Sequence, residues 1–360
     1  MNCPNCSEVN VKKIYRNKNM PYGIFLKDRY IDLEISVCKN CGFVFQNSAF
    51  CNEYDERIKK LYGSYEIDKQ YDFPKRDNYA LKSLEFLDEF IENRIDYNIL
   101  EIGSNRGDFL YLLKEKFPKI NVLGCEPTKF KNLKVLTIQS FFNAELFSMK
   151  FDLIILRHTL EHIKYPKKFL KEVIKVLKDN GKLYIEVPNL LNSLDKRIED
   201  FTPDHVNYFY LKTLVSTVPN LKLEKFYDEP FLYAIFSKNG SFKYKEGDIV
   251  DIESKFIAFQ KSIDDIASKL DKYERVIFYG VGNYYLWVYY RFKNILEQKE
   301  LYFMDDFVEE DTILNLHKIK DYNSNDLIIL CSSNRKIQEK MAKKLSNVNI
   351  LKPYSGIFNV

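Results

Sequence analysis

The chain has 360 residues, 46% of them hydrophobic and 29% charged, so a packed core is feasible and wholesale disorder is excluded. Its 55 basic and 51 acidic side chains leave a net charge of +4, too small a surplus to argue for nucleic acid or an anionic membrane as a partner. The length suggests two or three domains.

The first ten residues, MNCPNCSEVN, lack a basic start followed by an apolar run, so no secretory signal is expected. The most apolar late stretch, VIFYGVGNYYLWVYY, is interrupted by Gly and Asn and does not read as a membrane span. A cytoplasmic protein is therefore expected. Four of the seven cysteines form two CxxC pairs, Cys3/Cys6 and Cys38/Cys41. In a reducing compartment that pattern favours a metal over disulfides. Four thiolates complete a tetrahedral shell, which marks a closed structural Zn2+ site. Residues 1–70 are read as this zinc-binding domain, with YGIFLKDRYIDLEISV filling the gap as strands and Cys51 outside the pattern.

NYALKSLEFLDEFIENRI follows, with apolar residues at helical spacing that predict a packing helix. From 97 to 235, short apolar strands alternate with amphipathic helices: YNILEIG, GDFLYLLKEKF, INVLGCEP, FDLIILRHTL, YPKKFLKEVIKVLKDNG and KLYIEVPN. Alternation of this type predicts an α/β fold, a parallel sheet with helices on both faces, whose ligands bind beyond the carboxyl ends of the strands. In LEIGSNRGDF a strand ends at Glu101, the loop carries Gly103 and Gly107, and a helix begins near Asp108. The glycines let a ligand approach the backbone, and the helix start offers free N–H groups. The spacing is E-x-G-x-x-x-G, not the dinucleotide fingerprint. The next strand ends in Glu126, where a carboxylate can accept both hydroxyls of a ribose.

Residues 240–360 repeat the alternation: RVIFYGVGN, ELYFMDD, DLIILCSSN, a helical RKIQEKMAKKL and NVNILKP. This predicts a second, smaller Rossmann-like unit. The reading gives three domains, residues 1–70, 71–235 and 236–360.

The E-x-G-x-x-x-G loop, the acid ending strand two, FDLIILRHTLEHI and VLKDNGKLYIEVPN together resemble a class I S-adenosylmethionine-dependent methyltransferase. The resemblance implies that Glu101, Gly103, Ser104, Asn105 and Gly107 shape the methionine pocket and that Glu126 holds the ribose. It places Gln139 and Ser140 near the adenine, and Arg157 and His158 towards cofactor or substrate. With its four cysteines, methyltransferase core and terminal Rossmann-like domain, the chain is similar to the sugar C-methyltransferases, which act on keto-deoxysugars carried on a nucleotide. Those relatives have a Tyr-His-Glu-His run before a Ser-Tyr-Phe-like tail. Here FTPDHVNYF keeps the last histidine as His205 and shortens the acid to Asp204, with Thr202 and Pro203 in the first two places.

The expectation is methyl transfer to a nucleotide-linked sugar or glycan precursor, with His205 as base, Asp204 as its orienter and His158 as a further catalytic candidate. A phenol that could steady an enolate is missing, so oxygen or nitrogen are alternative acceptors to carbon. His162 reads as a histidine packing the loop after strand four, and His317 as a surface residue. The resemblance implies that the terminal Rossmann-like domain helps to hold the sugar nucleotide, where Tyr284 and Tyr285 could stack if they do not join the core. Rival readings are an NAD-dependent oxidoreductase using YGVGN and a non-enzymatic four-cysteine adaptor for RNA or protein.

Overall fold

Apolar runs of four to seven residues become the inner strands of two separate sheets. The computed structural model describes residues 1–21, 30–51, 53–56, 59, 77–92, 94–196, 201–242, 250–311, 314–332 and 335–352. The chain forms two compact units. One comprises Met1–Lys12, Ser36–Leu190 and Asp204–Val250; the other Lys13–Ile35, Leu191–Pro203 and Asp251–Val360. These units cut across the three segments of the sequence.

The first unit is built on seven strands: β4 (Asn98–Ile102), β5 (Asn121–Cys125), β6 (Thr137–Ile138), β7 (Phe151–Arg157), β8 (Leu177–Pro188), β10 (Lys222–Tyr227) and β11 (Phe231–Ser237). Their order is β10-β11-β8-β7-β4-β5-β6. The pairs from β8 to β6 are parallel, and β11 is inserted antiparallel between β8 and β10. The central strands are apolar on both sides because both faces are covered. Leu153, Ile155 and Tyr184 face a helix, Asp77–Ile91, through Leu84, Leu87 and Ile91. Ile154, Leu156, Leu183 and Ile185 point the other way, into a second cluster. The predicted packing helix is present, except that Leu81 is exposed and the inward position between apolar neighbours is Ser83.

The second of these clusters also holds Cys3, Cys38, Phe43, Phe45 and Phe209, so the four-cysteine segment shares a core with the parallel sheet. A short strand β3 (Val44–Gln46) pairs antiparallel with β9 (Asn207–Tyr208), and Phe43 meets Phe209 edge-on at 5.6 Å. The turn before β3 needs Gly42. Its φ is +73°, and a Cβ there would lie 2.5 Å from the Tyr210 hydroxyl oxygen.

The other unit has a fully parallel sheet of β12 (Arg275–Tyr279), β13 (Glu300–Met304), β14 (His317–Lys318), β15 (Leu327–Leu330) and β16 (Asn349–Leu351), in the order β14-β13-β12-β15-β16. This is a doubly wound order, with the first strand at the centre. A long helix, Ile252–Asp271, is capped by Asp251 and buries Phe256, Phe259, Ile263, Ile266 and Leu270. Tyr15 and Phe201 pack against Phe256 and Phe259, with ring centroids 5.1–6.0 Å apart. Strand β1 (Val11–Pro21) begins in the first unit and β2 (Tyr30–Cys38) ends there, while the rest of each belongs to the second. Among the described residues, no helix is long and apolar enough to cross a membrane.

Candidate active site

The carboxyl ends of β4, β5 and β7 converge on the loop that follows Glu101. Gly103 has a φ of +77°, and its N–H donates to Cys125 O at 2.8 Å. A Cβ on it would fall 2.3 Å from Thr159 Oγ1. Gly107, with a φ of +83°, caps the helix Asp108–Lys116. Both glycines therefore hold a left-handed backbone with a neighbouring side chain where a Cβ would lie. Gly124 serves the same end without having been singled out: a Cβ there would meet Ser104 Oγ at 2.5 Å. Its signal was a lone Gly inside a strand, which often marks a close approach of another chain segment.

Glu101 is 2% exposed, and burial pushes its carboxyl up to about 8. Its Oε2, Ser104 Oγ and Asn105 Oδ1 are buried without a hydrogen-bond partner. Orphaned polar atoms clustered on a glycine loop fit a polar ligand lying along that loop. Glu126 does more than end a strand. Its Oε2 accepts from Asn105 N at 3.0 Å and its Oε1 from Thr128 N at 2.8 Å, so it braces the loop while keeping lone pairs for a ribose. Gln139 Nε2 donates to Phe130 O at 3.2 Å, and Ser140 Oγ to Phe141 O at 3.1 Å, so both side chains are engaged locally.

Strand β7 delivers Arg157 and His158, and here a residue the sequence reading missed organises the site. Glu186, in β8 and wholly buried, accepts from Arg157 Nε at 2.8 Å, Ser83 Oγ at 2.6 Å and the Tyr184 hydroxyl at 3.1 Å. His158 Nε2 lies 3.0 Å from its other oxygen. Burial works against its charge, but Arg157 and His158 hold Glu186 far below the usual carboxylate range. Arg157 is thus committed to Glu186, with its guanidinium 4.0 Å over the Phe109 ring. His158 has a φ of +47° and lies between two carboxylates, Glu186 and Glu161, the latter at 3.4 Å. Its surroundings disfavour charge, yet bonds to Glu161 and Glu186 lift it to about 9. At neutral pH it is an imidazolium, a charge partner rather than a base.

The remaining corner is formed by Glu161, His162 and His205, with one ligand-type atom of each within 4.8 Å of the others. The two imidazole rings are 5.0 Å apart. Asp204 meets His162: its carbonyl oxygen is 2.8 Å from Nδ1 and its carboxylate 3.9 Å. The loop is held by Val206 N donating to Glu161 O at 2.8 Å, by Asn207 Nδ2 donating to Ile163 O at 2.6 Å, and by the pairing of β9 with β3.

The four cysteines lie together. Cys3 Sγ is 3.7 Å from Cys41 Sγ, Cys6 Sγ is 3.6 Å from Cys38 Sγ, and all four are within 4.8 Å of one another. Bonds of about 2.3 Å in a tetrahedron would put sulfurs about 3.8 Å apart, so the donor set fits a zinc ion. The Cys3 thiol holds Cys41 down to about 5, so one thiolate is already favoured. Cys51 is exposed and apart from them.

In the other unit, Tyr284 and Tyr285 are buried, and the Tyr285 hydroxyl donates to Asp311 at 2.7 Å; they belong to the core. Asp305 accepts from the N–H groups of Val281, Phe307 and Val308. His317 is exposed.

A seven-stranded sheet of this order, with a glycine loop after its first strand and an acid ending its second, is the Rossmann-like methyltransferase fold. Residues 73–240, a little under half of the chain, match a family described as a methyltransferase domain. No curated protein matches the chain. Among solved structures it is similar to 1,6-didemethyltoxoflavin-N1-methyltransferase of Burkholderia thailandensis, at 13% identity and a TM-score of 0.43, over 58% of this chain and 97% of that one. It is also similar to the PH0226 protein of Pyrococcus horikoshii OT3, at 17% identity and a TM-score of 0.37, over 52% and 99%. At these values neither likeness bears on the substrate.

Proposed function

We propose that the chain transfers a methyl group from S-adenosylmethionine to a nucleotide-linked sugar or glycan precursor. The bound donor supplies an activated methyl on a cationic sulfur; the protein supplies orientation and handles the acceptor's proton. Glu101, Ser104, Asn105 and Glu126 are the residues we assign to the donor. His205 is assigned to the acceptor's proton, held in place by the loop that pairs with β3. A zinc ion on Cys3, Cys6, Cys38 and Cys41 secures that strand.

The observation that carries the reading is this join: the four-cysteine module and the His205 loop share one strand pair beside the methyltransferase sheet. With no tyrosine or second histidine ahead of Asp204, the acceptor atom is assigned as oxygen or nitrogen before carbon.

The test is calorimetry with S-adenosylhomocysteine, then mass spectrometry on a panel of nucleotide sugars. Binding and a gain of one methyl group, lost in His205→Asn, are expected. Absence of binding would sink the reading, and binding without transfer to any sugar would sink the substrate class.

A further inference from the structure

Glu161, His162 and His205 are more than neighbours of the proposed acceptor. Glu161 is 1% exposed, and its Oε2 has no hydrogen-bond partner. His158 faces the other oxygen of this carboxylate at 3.4 Å, so Oε2 keeps its lone pairs for a further donor or cation. His162 Nδ1 faces the Asp204 carbonyl at 2.8 Å. A carbonyl can only accept, so Nδ1 carries the proton and the lone pair lies on Nε2. Imidazoles that ligate metals are commonly oriented in this way, by a carbonyl on the other nitrogen. The two segments are already locked together through Val206 and Asn207, so the three donors need no folding step to meet. Metal–ligand bonds of about 2.0–2.2 Å bring donor atoms to about 3–4.4 Å, a small closure from the present spacing within 4.8 Å.

We propose that Glu161, His162 and His205 bind a divalent transition-metal ion, separate from the zinc of the four cysteines. Two imidazoles and one carboxylate suit ions such as Mn2+, Co2+, Fe2+ or Zn2+. Three protein ligands leave coordination positions for an acceptor oxygen. An ion there lowers the pKa of an acceptor hydroxyl, whose proton passes to water. His205 then serves as a ligand of the ion, in place of the direct base assigned to it above. The ion's role rests on the methyl-transfer reading; its presence does not.

The experiment uses the full chain with its cysteine site loaded with zinc. Mn2+ and Co2+ are titrated in, with Mn2+ followed by electron paramagnetic resonance and Co2+ by its absorption. One ion per chain beyond the zinc is expected, bound about tenfold or more weaker in Glu161→Gln and in His205→Asn. Pulsed resonance of the wild-type Mn2+ complex should show coupling to imidazole nitrogen, a readout that does not depend on either variant folding. No ion beyond the zinc, no nitrogen coupling, or unchanged affinity in folded variants overturns the site. If no ion binds but His205→Asn still abolishes transfer, the cation is overturned and the direct base stands. If the ion binds but no sugar is methylated, the cation stands and the proposed function falls.

Discussion

Glu101 shows how the burial of one carboxyl makes the stability of the fold depend on pH. Its carboxyl is raised to about 8 by burial, so the folded protein holds a proton that the unfolded chain releases near its ordinary value. Its stabilising contribution is full below that ordinary value and is lost as pH rises towards 8, at about 1.4 kcal/mol per unit at most. Glu101→Gln, which mimics the protonated form, should therefore gain stability over wild type between pH 5 and pH 8 in urea melts. The same variant should bind S-adenosylhomocysteine more weakly, and equal stability curves would refute the burial argument. Glu186 presents the opposite case. Removing its charge by Glu186→Gln leaves Arg157 and His158 without their shared counter-charge, a cost of about 3–5 kcal/mol measured by denaturant unfolding.

Among the elements, the pair β3–β9 joins the four-cysteine segment to the loop that carries His205. Val44 opposes Tyr208 and Phe45 opposes Asn207, three and two residues beyond His205. Chelating the zinc we assign, or replacing Cys41 by Ser, should release this strand and abolish methyl transfer. Binding of S-adenosylhomocysteine at the loop after β4 should survive, because that loop is braced by Glu126 and Gly124 instead. Calorimetry on the chelated protein separates the two; loss of both activities together would show that the module supports the whole unit. The strands themselves were readable from their apolar runs. The pairing of β3 with β9 was not, since its partners are more than 160 residues apart and each strand is only two or three residues long.

At the scale of the molecule, the contact units disregard the order of the chain. Tyr15, from the first hairpin, and Phe201, from the segment after β8, both pack on Phe256 and Phe259 of the long helix. A chain ended near residue 240 would expose Tyr15 and Phe201, which are buried at 6% and 1% exposure. It should express largely as aggregate, whereas the full chain stays monodisperse in light scattering. A soluble, cooperatively melting fragment would show that residues 1–240 fold without this packing.

By itself the amino-acid sequence determined the local decisions: two cysteine knuckles, the glycine loop after Glu101, the alternation that makes parallel sheets, and the acid that ends β5. Each is set by the chemistry of residues a few positions apart, so spacing reveals it. Tertiary structure alone decided which distant groups share a charge. It brought Ser83, Arg157, His158 and Tyr184 onto Glu186, gave Asp204 to His162, and set Glu161, His162 and His205 around one point. Electrostatic partnership depends on distance and burial in space, and neither is encoded in separation along the chain.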